Sequence, residues 1–112
     1  MLSWSSTESG LTADLSAVVN GGSDGGLPFG REIIGFVDAI GGKDDQQLSE
    51  ARQRLVEAAG EAFMVDTAAV VANFEMMTRV ADGTGARFPA ARAAQRAQLD
   101  AQLGIGGFTS AR

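Results

Sequence analysis

With 112 residues, 45% of them hydrophobic, the chain can build one core but not two independent ones, so any ligand site is shared with that core or with a partner subunit. It contains no cysteine, histidine or tyrosine, which excludes disulfides, thiol nucleophiles, imidazole bases and ligands, and phenol acids. Thiol peroxidase, Ser-His-Asp, Cys-His and zinc-finger chemistry go with them. A formal net charge of −5 with scattered arginines lacks the concentrated cationic surface that phosphate backbones need, so no nucleic-acid partner is expected.

In chain order, residues 1–10 (MLSWSSTESG) have no periodicity and read as a flexible arm carrying Leu2 and Trp4. They offer neither the basic start nor the apolar centre of an export signal, and no apolar run later approaches a bilayer-spanning length. A cytoplasmic location without a membrane partner is expected. One domain is predicted over residues 11–104. It opens with Leu11, Leu15, Val18 and Val19 on one face of a short helix, with Thr12 as its cap. The glycine-rich segment 20–26 (NGGSDGG) ends that helix and reads as a flexible link.

Pro28 suits a first helical turn, and Phe29, Ile33, Phe36, Val37 and Ile40 then recur as one apolar stripe. Gly41 and Gly42 stop this helix, and Asp44 with Gln47 provides a capping box for the next. There Leu48, Ala51, Leu55, Ala58 and Ala59 share a face, while Gln46, Glu50, Gln53 and Glu57 face water, and Gly60 closes the helix. Over residues 61–82 the pattern changes. Phe63, Met64, Val65, Ala68, Val70, Val71, Phe74, Met76, Met77 and Val80 cover almost the whole circumference, as in a helix enclosed by others.

Gly83 and Gly85 end this segment through a left-handed turn. Phe88 and Pro89 begin a last helix with Ala90, Ala93, Ala94, Ala97 and Ala101 on one side and Arg92, Arg96, Leu99 and Leu103 on the other. The alanine side permits close approach of a neighbouring helix, and Gly104 caps the end. The tail, 105–112, carries Ile105 and Phe108 as docking residues. No period-2 run and no internal repeat stands out. The expected fold is all-α, four to five helices packed around a central apolar helix at about 61–82.

Residues 60–85, GEAFMVDTAAVVANFEMMTRVADGTG, resemble the C-terminal half of the alkylhydroperoxidase AhpD-like, or carboxymuconolactone decarboxylase-like, helical family. The likeness rests on Gly60, Asp66, Ala69, Val70, Asn73, Phe74, Arg79, Ala81, Asp82 and Gly85 and, with the preceding helices, extends over about residues 29–88. It implies an AhpD-like helical arrangement and assembly into dimers, trimers or larger rings. It does not bring the family's chemistry. Peroxidase members use a Cys-x-x-Cys pair with nearby histidine and glutamate, and no position here matches that motif.

Within the apolar arc of residues 61–82, Asp66 and Asn73 stand seven residues apart and so stack about two turns along one side. Two roles are open to them. Asn73 can bond a neighbouring backbone and Asp66 cap a helix end, or both can line a pocket in which Asp66 acts as base or anion and Asn73 orients a ligand. The local role is favoured, because no second acid or base is placed beside them. Glu75, Arg79 and Asp82 form the clearest wet stripe, an ion-pair ladder or a clamp for a ligand carboxylate through Arg79, with the ladder favoured.

Arg92 and Arg96 read as stems covering apolar surface or as a patch for an acidic partner, and the stems are favoured. Met64, Met76 and Met77 read as core filler, and the glycine segments lack the strand, lysine and hydroxyl of a phosphate loop. No cofactor, no metal and no catalytic residue is assigned. The leading functional expectation is a non-catalytic helical protein forming homo-oligomers, with residues 89–103, Trp4 and Phe108 as contact elements. The second is a small-molecule binder or cofactor-free enzyme with its pocket beside Asp66 and Asn73.

Overall fold

In a computed structural model, residues 10, 12–20, 23–87 and 89–105 are described. The contact residues Trp4 and Phe108 and the helix-starting Phe88 lie outside these. Among the described residues the regular structure is helical throughout: α1 (Ser16–Asn20), α2 (Gly30–Gly41), α3 (Asp45–Ala59), α4 (Glu61–Thr84), a 3₁₀ turn (Ala90–Arg92) and α5 (Ala93–Leu103). The all-α expectation with five α-helices therefore holds for this part of the chain.

Local chemistry sets most of the boundaries. α1 begins later than its apolar spacing predicts, and Asp14 caps it in place of Thr12, its carboxylate accepting the Ser16 N–H at 2.9 Å. The Ser16 hydroxyl and then the Ser16 N–H hold the Asp14 carboxyl below its usual range. Within the glycine-rich segment, Ser23 and Asp24 side chains accept the N–H groups of Gly25 and Gly26, and the Gly25 carbonyl accepts the Asp14 N–H at 2.8 Å. This turn lies against α1, with Gly25 and Ala17 both buried.

Phe29 was expected inside the second helix; it stands just before it, in a left-handed conformation at φ 56°. That places its ring edge-on to Phe63 of α4, with centroids 5.7 Å apart. Pro28 accordingly precedes the helix. At the far end Gly42 donates its N–H to Asp38 and Ala39. The Asp44 cap forms as the sequence indicates, its carboxylate accepting the N–H groups of Gln46 and Gln47 at 2.9 and 3.0 Å. Asp44→Ala is expected to lower stability by about 1 kcal/mol, measured by urea unfolding, with fraying confined to the first turn of α3. A loss within error would mean that the cap adds nothing beyond what water supplies.

The core forms where α2 and α3 meet. Phe36, Ala51 and Leu55 are buried there, and Ile33, Ala39, Ile40, Leu48 and Ala59 pack around them. Met64 and Ala68 close this cluster from α4. α3 is the helix that packs against both α2 and α4, and α5 lies against the short α1.

The central place expected for residues 61–82 is not found: no described helix is enclosed by others, α2 and α3 each bury two residues, and α4, although apolar on nearly every side, contributes none. On α4 the side bearing Met64, Thr67, Ala68 and Val71, at i, i+3, i+4 and i+7, is half-buried against the other helices, as is Ala81 further along. The alanine side of α5, an expected contact element between subunits, is exposed within the chain, and this helix is half-buried through Arg96, Asp100 and Leu103.

Candidate functional site: the open face of α4

Gly60 at φ 91° turns the chain sharply from α3 into α4, and Gly85 at φ 68° ends α4 with its N–H directed to Ala81 and Asp82. Between them runs a helix of 24 residues, about 36 Å at 1.5 Å per residue. Its side chains fall into two unequal sides at about 100° per residue. The half-buried side has been described. The other carries Ala62, Val65, Ala69, Val70, Ala72, Met76, Met77 and Val80, all exposed.

The exposures are large for side chains of this kind: 54% for Val65, 56% for Val70, 56% for Met76 and 58% for Val80. Scattered single apolar residues are ordinary on protein surfaces, whereas a contiguous strip on one helix is less common. Phe74, half exposed, flanks the strip.

Asp66 and Asn73 stand on this strip and are exposed. Asp66 is well inside α4, so it caps no helix end, and neither side chain makes a hydrogen bond among the described residues. The local roles expected for them are therefore not taken among the described residues, where no other element covers the face they share. Asp66 is the one charged residue in this arc, which runs from Ala72 round to Val70.

Arg79 donates from Nε and Nη2 to Glu75 Oε1 at 3.2 and 3.0 Å, a pair within one helix. Both side chains are well exposed, so solvent screens the pair and its contribution to stability is slight. Asp82 sits a turn further on, exposed. On α5, Arg96 Nε meets Asp100 Oδ2 at 3.3 Å in a half-buried setting, while Arg92 is exposed in the 3₁₀ turn. The stem reading thus fits Arg96 better than Arg92.

A shallow groove between α2 and α3, lined by Gly35, Asp38, Gln47, Glu50 and Arg54 among others, has a volume of about 180 Å³. Ligand sites for small organic molecules usually exceed about 300 Å³, and this groove includes none of Asp66, Asn73 and Arg79. Among the described residues no three Asp, Glu, His or Cys side chains gather as metal ligands, and no helix is long and apolar enough to cross a membrane. Compared with protein-family models, with curated proteins and with solved structures, the chain matches none of them.

Proposed function

We infer that the chain is a non-catalytic, self-associating helical protein whose contact surface is the outer face of α4. One observation carries this reading: a 24-residue helix, apolar around most of its circumference, buries none of its residues within the chain. Leaving Val65, Val70, Met76 and Val80 in water forgoes burial free energy of roughly 25 cal/mol per Å² of apolar surface. A second subunit recovers it. The small set of buried residues, Ala17, Phe36, Ala51 and Leu55 among those described, points the same way, because a core this sparse gains from intermolecular burial.

The AhpD-like resemblance of residues 60–85 coincides with this helix and supports assembly as its use. The absence of cysteine, histidine and tyrosine from the sequence supports a role without thiol, imidazole or phenol chemistry. A pocket beside Asp66 and Asn73 has less support, since both stand on an exposed face of one helix.

Light scattering across a tenfold range of concentration tests the reading. The molar mass is expected to rise to a multiple of the 11.5 kDa chain, with thermal stability rising alongside it. A mass of 11.5 kDa at every concentration overturns self-association.

A further inference from the structure

We propose that two copies of the chain pair through α4 in an antiparallel, two-fold arrangement whose axis passes beside Asn73; the proposal rests on the self-association inferred above. The occupant of the face is argued from area, charge and side-chain chemistry.

From Ala62 to Val80 the strip is about 27 Å long, and its arc spans roughly 160° of a helix about 11 Å across. That amounts to about 500 Å² of accessible surface per copy, or about 1,000 Å² over a pair with the whole strip covered, the size of a weak or transient interface. In sequence, residues 106–112 offer one large apolar side chain, Phe108, and residues 1–9 offer Met1, Leu2 and Trp4, fewer than the strip itself carries. A second α4 matches the strip in length and in composition.

Charge decides the direction. Asp66 is the strip's one charge. In a parallel pair it would stand level with Asp66 of the second copy across an interaxial gap of about 8–10 Å, bringing like charges together in an apolar seam. In an antiparallel pair centred on Asn73 the two Asp66 residues are separated by fourteen residues of rise, about 21 Å, well beyond the Debye length of about 8 Å at physiological salt. Antiparallel helix dipoles also attract.

Asn73 fixes the centre. It lies within about 3 Å, along the helix, of the midpoint between Ala62 and Val80. A carboxamide carries both donors and an acceptor, so two copies related by a two-fold axis satisfy each other, whereas an unpaired amide in an apolar seam is costly. A polar pair of this kind also fixes register, as single asparagines do in coiled coils. Ala69 and Ala72 beside the axis let the backbones approach, and Ala69 then falls within about one residue of Met76 of the second copy, small against large.

The cysteine-free sequence makes the test clean. Single variants N73C, A62C and E75C, all at exposed positions, are air-oxidised and run without reductant, with molar mass measured in parallel on the reduced proteins. The bulk of N73C is expected at twice 11.5 kDa, with A62C and E75C remaining at chain mass. Cross-linking of A62C as complete as that of N73C overturns the antiparallel pairing. A dimeric mass with no N73C cross-link overturns the use of this face while leaving self-association standing. A monomeric mass for all three, matching the unmodified chain, overturns both.

Discussion

Leu55→Ala is expected to destabilise the fold by about 2–5 kcal/mol, a loss read from the urea midpoint at protein concentrations too low for association. Leu55 has no accessible surface and sits between Phe36 and Ala51 where α2, α3 and α4 converge. Removing three carbons there loses their transfer free energy and leaves a cavity that three helices from separate parts of the chain do not readily collapse to fill. For a domain of this size each kcal/mol lowers Tm by about 4–8 °C, so a drop of about 8 °C or more follows. Arg52→Ala, exposed on the same helix, changes stability by less than about 0.5 kcal/mol and serves as the control. A Leu55→Ala loss as small as the control would place the stabilising core elsewhere.

What the sequence reveals and what it conceals divide along physical lines. Helix ends governed by neighbours in the chain are legible: the Asp44 carboxylate reaches Gln46 and Gln47, and Gly85 and Gly104 turn the chain at positive φ, where glycine is favoured. The inward faces of α2 and α3 are legible too, because each alternates apolar and polar sides at helical spacing, so Phe36 and Leu55 are found by pattern alone. α4 is not readable in this way. A helix apolar all round provides no contrast, and its pattern is the same whether other helices enclose it or one side awaits a second copy.

The candidate residues divide in the same manner. The Glu75–Arg79 pair is set by i, i+4 geometry and is visible in the sequence. Asp66 and Asn73 are visible as polar residues in an apolar arc, but their surroundings depend on what lies across from α4. Their twofold spacing along one side of the strip, together with the lone charge, was the available signal. Read as a core pattern, it favours local capping; the exposed placement of both residues, with Asp66 well inside α4, goes against that reading, and a seam is what is proposed for them.

Glycine provides the second large effect, because the same substitution at two places in α2 is expected to have opposite signs. Gly30 opens the helix and is buried; a Cβ built there would overlap the Asp24 carbonyl oxygen and approach its carbon at 2.7 Å. Those are backbone atoms that no side-chain rotation moves away. The turn is also fixed from both ends, by the Gly30 N–H donated to Leu27 and the Leu27 N–H donated to Asp24. Gly30→Ala must therefore shift either the turn or the start of α2, and a loss of about 3 kcal/mol is expected in urea unfolding, with α1 loosened because the same turn holds Asp14. Gly35, by contrast, lies mid-helix with open space where its Cβ would stand. Gly35→Ala is expected to raise stability by about 0.5–1 kcal/mol, since alanine restricts the unfolded chain and favours the helix. Equal and small effects at both positions would show that Asp24 and Gly30 do not meet as closely as the fold requires. A stabilising Gly30→Ala would remove the turn at residues 23–30 as the element that joins α1 to the α2 and α3 core.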